Sequence, residues 1–248
     1  MVVSRLEKLW VNLYFWPLFV LVTILFGLAL PLIMAGAMVV GEKSPGRTLR
    51  LAVRQFGGFL LWLGRPAVRV TLENRAGELP LPAIFVANHN SAMDPYLFGL
   101  LPVENAFVTS WPFKMPFYGQ IMRRAGYIDS RTGWSEVERQ GRLLLGLGSS
   151  IIVWPEGHRS RTGRMRRFRK GAFQLAVAAG RPVVPVCILG SGRVLPPGSL
   201  LFNPGRIRVV ILPPVAWPAP EQGAPTPEEL RDAARRSISK ALQQGYGE

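Results

Sequence analysis

At 248 residues, 48% of them hydrophobic and 18% charged, the chain is long enough to bury a substantial core, and disorder is excluded for the bulk of it. Thirty Lys and Arg against fifteen Asp and Glu leave a net charge of +15, which points to an anionic partner: nucleic acid, lipid headgroups or phosphorylated metabolites. The single cysteine, Cys187, excludes an intrachain disulfide and a cysteine-based metal cluster, and within the apolar run Val183 to Leu189 it reads as a small core residue.

The N-terminus narrows the anion question. No charged residue occurs between Lys8 and Glu42, a gap of 33 positions rich in Leu, Val, Ile, Phe and Trp. Ala35-Gly36-Ala37 resembles a signal-peptide cleavage site, but the apolar stretch is roughly twice a normal signal core and continues through Met38 to Val40. Pro17 and Pro31 interrupt the pattern, so the segment reads either as one tilted membrane span of about 20 residues or as two shorter helices dipping into one leaflet. Arg5 and Lys8 precede it and Lys43, Arg47, Arg50 and Arg54 follow, a bias that favours a cytoplasmic C-terminal portion. Thr48 to Gly64 is predicted to be a helix with a large apolar face (Leu49, Val53, Phe56, Leu60), either lying on a membrane surface or capping the core.

From Val68 onward, β-rich runs alternate with helical patterns. The strands are predicted at Val68–Leu72, Ile84–Ala87, Ala106–Thr109, Tyr127–Asp129, Ile151–Trp154, Val183–Leu189 and Ile207–Leu212. Helices are predicted at Pro95–Leu101, Pro116–Ala125, Ser135–Leu147 and Gly171–Ala179, with a last one from Thr226 to about Gln244. There Thr226-Pro227-Glu228-Glu229 supplies a cap, a first-turn proline and a returning carboxylate. Pro213 to Pro225 reads as a linker. Such alternation predicts an α/β fold: a mixed, largely parallel sheet of about seven strands covered by helices, preceded by an N-terminal hydrophobic helical membrane anchor. The expected division is residues 1–64 for the anchoring segment and 65–248 for the α/β domain.

Both histidines lie in short polar motifs that follow predicted buried strands, where open α/β sheets place their ligands. In Asn88-His89-Asn90-Ser91-Ala92-Met93-Asp94, His89 is a candidate general base and Asp94 the carboxylate that would fix its tautomer. Five residues apart, the two diverge on a continuous helix, so this reading requires a turn over Asn90 to Met93, with Asp94 as N-cap and Pro95 in the first turn. The bland alternative, in which Asp94 only caps the helix and His89 only bonds the loop, is equally open on spacing alone. The second motif, Trp154-Pro155-Glu156-Gly157-His158-Arg159-Ser160, begins a run of seven cations in twelve positions from Arg159 to Lys170, with no acid among them. Arginine offers a planar fork for phosphate, and Arg159 is the one nearest the strand end. Nucleic acid is disfavoured as partner, because neither aromatic interleaving, a recognition helix nor zinc spacing accompanies the basic run.

At these residues the chain resembles the 1-acylglycerol-3-phosphate acyltransferase (PlsC-like) family of the glycerolipid acyltransferase superfamily. Asn88-His89 through Asp94 resembles its Asn-His-x4-Asp block. Lys114 with Pro116 and Gly119, then Gly126 through Arg131, resembles the second block. Trp154 through Ser160 resembles Phe-Pro-Glu-Gly-Thr-Arg-Ser, and Val184-Pro185-Val186 the fourth block, with Phe168-Arg169-Lys170-Gly171-Ala172 also typical. Trp154 for Phe and His158 for Thr are departures. The resemblance implies a membrane-bound enzyme of phospholipid biosynthesis in which His89 and Asp94 are the catalytic pair, while Lys114, Arg131 and Arg159 bind the acceptor phosphate and Glu156 and Gly157 shape the loop. The implied acceptor is a lysophosphatidate-like membrane lipid and the implied cosubstrate acyl-CoA or acyl carrier protein, with neither cofactor nor metal, on the cytoplasmic face of the cell membrane. Another acceptor (a lysophospholipid, a lyso-aminolipid or glycerol 3-phosphate) and a non-catalytic basic membrane protein are the alternatives.

Overall fold

The computed structural model describes residues 5–42, 44–215 and 224–245; Lys43 and most of the Pro213–Pro225 linker lie outside them. The strands are β1 (Val68–Asn74), β2 (Ile84–Ala87), β3 (Asn105–Thr109), β4 (Ile128–Asp129), β5 (Ser150–Val153), β6 (Val183–Leu189) and β7 (Gly205–Ile211). They form one seven-stranded sheet in the order β1-β7-β6-β2-β5-β3-β4. β6, β2, β5, β3 and β4 are mutually parallel, while β1 and β7 pair parallel with each other and β7 runs antiparallel to β6. The sheet is thus mixed and largely parallel, as the alternating pattern predicts. Every residue of β2 and β6 is buried, as expected of strands covered on both faces.

Alternation along the strands divides the core in two. Ile84, Val86 and Ile151 face one cluster with α4 (Tyr118–Arg124), α5 (Trp134–Gly146), α6 (Gly171–Ala179) and α8 (Pro227–Gly245); Phe85, Ala87 and Ile152 face the other with α3 (Asp94–Leu97) and α7 (Ser191–Val194). Cys187 on β6 is fully buried, and that burial pushes its thiol up to about 12, which fits an inert core role.

α1 (Arg5–Val39) is a single unbroken helix carrying Pro17 and Pro31 inside it, about 52 Å long, and not two shorter pieces. It is long and apolar enough to cross a membrane by length and composition. One stripe of it nevertheless packs on the body. Phe26 stacks on Phe56 at 4.4 Å, the Tyr14 hydroxyl donates to the Leu63 carbonyl, and the Asn12 amide exchanges two hydrogen bonds of 2.9 Å with the Phe202 backbone. α2 (Pro45–Leu63) caps the core. Ser44 accepts from Arg47 N at its N-terminus, and Gly57 and Gly58 let the backbone of the 3₁₀ turn Phe98–Leu100 approach so closely that a Cβ on Gly99 would overlap Gly58 N.

The arginines downstream of α1 turn out to serve the fold. Arg47 pairs with Glu42, and Arg54 Nε donates to the Leu101 carbonyl at 2.5 Å. Arg50 is buried; its guanidinium meets Glu104, the Ala125 carbonyl at 2.6 Å and Ser149 Oγ at 3.1 Å. Removing one partner of a buried ion pair strands the other charge, so Arg50→Ala should lower unfolding stability by about 3–5 kcal/mol in chemical denaturation. Arg47→Ala, at a pair whose Arg side chain is 51% exposed, should cost less than about 1 kcal/mol.

Candidate active site

Because five neighbouring strands are parallel, their carboxyl ends share one edge of the sheet. β2 delivers His89 there, β5 the Trp154–Ser160 segment, β3 Lys114, β4 Arg131 and β6 the turn that opens α7. The first motif leaves β2 through Asn88, whose amide donates to the Ile188 carbonyl and accepts from Ile188 N, both at 2.8 Å. Asn88 thereby imitates one more strand residue and ties the loop to β6.

Beyond it the chain turns over Asn90 to Met93 and brings the two ends of the motif together. One oxygen of the fully buried Asp94, Oδ2, receives His89 Nδ1 at 2.8 Å, Asn90 N at 2.8 Å and Ser91 N at 2.9 Å. Met93 takes the N-cap position, with no side-chain cap bond, and Asp94 occupies the first turn; the sequence expectation of Asp94 as N-cap is corrected accordingly. The carboxylate turns back onto the loop and holds His89 instead. With Nδ1–H donated to Asp94, Nε2 is left as a proton acceptor. The imidazole is 17% exposed and lies 5.0 Å from the Trp154 ring, which stacks on Phe107 and meets Phe98 edge-on. Trp154 therefore forms an apolar wall beside the histidine, a role the larger ring shares with phenylalanine.

The second motif grips the first through its backbone. Glu156, 2% exposed, accepts His89 N through Oε1 at 2.8 Å and Arg166 N through Oε2 at 2.7 Å, while Ser160 N donates to the His89 carbonyl at 2.8 Å. Burial pushes the Glu156 carboxyl above its ordinary range, against the opposing pull of the two N–H groups. Gly157 has φ +75, a conformation that strains any other residue, and a Cβ there would crowd the Arg169 guanidinium at 3.0 Å. His158 and Arg159 next to it are exposed.

His89, Asp94, Glu156, Gly157 and Arg159 thus lie in the two segments that leave the carboxyl ends of β2 and β5. Lys114 ends a 3₁₀ turn beyond β3 and is exposed. Arg131 follows β4, three strands or about 14 Å from β2. Its guanidinium makes a bidentate pair with Asp129 (2.9 and 2.6 Å), which holds the Asp129 carboxyl below its usual range. Among the described residues, no group of three or more His, Cys, Asp or Glu is arranged to hold a metal ion. Sequence reasoning missed Asn88 as a strap, the Ser160 contact and the Gly190-Ser191-Gly192 turn, although a glycine pair directly after a buried strand is a legible sign of close backbone approach.

Against this geometry, residues 68–189 match the family model described as Acyltransferase. The match takes in 122 of the 248 residues, the part of the chain that carries His89, Asp94, Glu156 and Arg159. It is 36% identical over 168 residues to the chloroplastic 1-acyl-sn-glycerol-3-phosphate acyltransferase of Brassica napus, covering 65% of this chain and 46% of that one. To the 1-acyl-sn-glycerol-3-phosphate acyltransferase of Pseudomonas aeruginosa it is 28% identical over 236 residues, covering 89% and 90%. The chain spans about half the length of the plant and algal relatives it matches. In fold it is similar to the crystal structure of the 1-acyl-sn-glycerophosphate (LPA) acyltransferase PlsC of Thermotoga maritima, with TM-score 0.76, 24% identity and 97% of each chain covered.

A carboxyl group raised on folding supports the folded state fully below its unfolded value, near 4.5 for glutamate, and that support is lost as pH rises through the higher folded value. Wild type should therefore lose stability relative to Glu156→Gln as pH climbs from about 4.5, measured as the difference between their denaturation free energies. A pH-independent difference would show that Glu156 does not titrate on folding.

Proposed function

We propose that the chain transfers a fatty acyl group from an acyl-CoA or acyl carrier protein thioester to the free hydroxyl of 1-acylglycerol 3-phosphate, giving phosphatidate. The observation that carries this reading is the His89 Nδ1–Asp94 Oδ2 hydrogen bond of 2.8 Å, across a turn that a five-residue spacing does not guarantee. Nε2 takes the proton of the acceptor hydroxyl as its oxygen bonds to the thioester carbon. The tetrahedral intermediate then collapses with cleavage of the carbon–sulfur bond, and the imidazolium returns its proton to the leaving thiolate. Asp94 keeps the tautomer and stabilises the imidazolium; no serine or cysteine nucleophile takes part. Arg159 and Lys114 grip the acceptor phosphate and hold the hydroxyl near the thioester carbon, a positioning contribution. Arg131 joins them only by releasing Asp129. The names of the Brassica and Pseudomonas relatives support this choice of acceptor.

The catalytic face is placed on the cytoplasmic side of the cell membrane, with α1 lying along the bilayer surface. Contacts of Asn12, Phe26 and Leu30 with the α/β body support the lie of α1, since they hold one stripe of the helix against the body and leave its other faces open to lipid.

His89→Ala and Asp94→Asn should each reduce acylation of lysophosphatidate by about 10²–10⁴-fold, His89→Ala at an unchanged melting temperature. Undiminished turnover in His89→Ala would sink the mechanism. Run beside these variants, lysophospholipid, lyso-aminolipid and glycerol 3-phosphate acceptors should give lower kcat/KM than lysophosphatidate. In whole cells, an impermeant thiol reagent should treat Leu6→Cys and Met38→Cys, exposed at the two ends of α1, as one compartment; opposite compartments would make α1 a span.

A further inference from the structure

Between β3 and α4 the chain combines backbone strain with exposed aromatic surface. Phe117 is the one non-glycine residue with positive φ among the described residues: φ is +57 and ψ −55, and the Tyr118 N–H donates to the Pro116 carbonyl at 2.5 Å across it. These three residues form a γ-turn, a strained conformation for an L side chain. Glycine would adopt it freely, yet phenylalanine stands there with its side chain 87% exposed, so burial in the fold does not offset the strain. Trp111, 66% exposed, and Met115 lie on the same segment. Phe113 turns inward and is buried, and a Cβ on Gly119 would overlap the Phe113 carbonyl at 2.7 Å, which fixes the shape of the turn. From Trp111 to Tyr127 the charged residues are Lys114, Arg123 and Arg124, all exposed and all cationic. The segment also adjoins α1: Leu30 of α1 and Met122 of α4 are buried in one cluster, with Phe26 and Met34 packed against it from α1 and Tyr118 and Ile121 from α4.

We propose that the Trp111–Phe117 turn is a second membrane contact, separate from α1. Trp111, Met115 and Phe117 enter the headgroup–acyl boundary of an anionic leaflet, and Lys114, Arg123 and Arg124 meet its phosphates. Aromatic tips ringed by cations, with no acid among them, suit that boundary: the rings take the apolar side and the charges the wet side. A protein partner is a poorer match, since a stable interface takes roughly 800 Å² from each side and three side chains supply far less. Lipid needs no matching pocket. A helix lying on a surface can also roll about its own axis, and a second point of attachment beside it stops the roll. The placement stands apart from the acyl-transfer reading. Within that reading it sets Lys114 at headgroup depth, where the phosphate of a bilayer-borne acceptor lies.

Cys187 is the single cysteine and is fully buried, so an exposed cysteine placed elsewhere takes up a thiol-directed dye alone. The full chain carrying Phe117→Cys is labelled with nitrobenzoxadiazole and bound to vesicles of phosphatidylcholine and phosphatidylglycerol. Its emission should be lost largely to spin-labelled acyl chains and resist aqueous iodide. Leu147→Cys, 68% exposed before the amino end of β5 and so at the opposite edge of the sheet, should show the reverse. Iodide quenching at position 117, or equal lipid quenching at both positions, would overturn the proposal. Protection from both quenchers at 117 would overturn it too, as the mark of a protein covering the turn. Phe117→Gly needs no dye: with strain removed and no buried packing lost, its melting temperature should equal or exceed that of wild type, and a fall would show that the ring serves the fold instead. Neither measurement uses turnover, so the contact and the acyl-transfer reading can fail separately.

Discussion

One buried carboxylate holds the site together. Glu156 sits at the carboxyl end of β5, next to β2, and divides its oxygens between the backbone of His89 and the backbone of Arg166. Without a bridging acceptor, two loops leaving adjacent parallel strands would diverge, since nothing in strand pairing extends past the last ladder bond. Burying a carboxylate costs free energy, and the upward displacement of its titration records that cost. The two N–H donors offset part of it, and the gain is that a loop dense in like charges is fixed against the proton acceptor.

That fixation matters because the basic loop has every electrostatic reason to move away. Seven cations in twelve residues repel one another and find no acid within the run. What folds the loop is backbone and hydroxyl bonding: Ser160 N to the His89 carbonyl, Ser160 Oγ to the Arg164 carbonyl at 2.7 Å, and Arg169 N to the Pro155 carbonyl at 2.8 Å. The guanidinium heads are thereby left outward on a rigid base, a concentrated positive field at the edge of the sheet where the strand ends converge. Such a field favours anionic ligands before any specific contact forms.

How far the sequence reveals this depends on where each signal is local. Strand existence was legible because β-branched runs between turn residues are written in consecutive positions; β2 and β6 fall on their predicted bounds, and the others differ by a residue or two. α7 was not, since four residues beginning Ser-Gly carry no helical period. The unbroken α1 was not either: it is apolar on every side, so no periodicity marks the stripe that packs, and its exposed Pro17 and Pro31 read as breaks. Charges mislead in the same way. Arg50 and Arg54 look like charges that set the cytoplasmic side from their place after an apolar run, and only tertiary contact shows them bonded to Glu104 and the Leu101 carbonyl. At the site, His89 and Asp94 were legible as a pair, but that Asp94 spends one oxygen on three donors, and forgoes the N-cap to do so, follows from the turn between them.

The same loop is also tied to α1 by a short chain of bonds. Ser91 Oγ donates to the Leu195 carbonyl at 2.9 Å; from Leu195 the chain passes Pro196 and Pro197 and reaches Leu200 and Phe202. There Trp16 Nε1 donates to the Leu200 carbonyl at 2.9 Å, and Asn12 clasps the Phe202 backbone in both directions. Leu200 and Leu201 stay largely exposed beside that clasp, adding apolar surface next to the outer face of α1. Asn12, Tyr14 and Trp16 make this possible: on an otherwise apolar stripe, three side chains that hydrogen-bond the body set the rotation and register of the helix, as polar residues do in a coiled-coil seam. The orientation of the apolar helix and the position of the histidine loop are therefore fixed by one contiguous set of contacts, so a lipid surface that seats α1 also sets how the carboxyl edge of the sheet meets it.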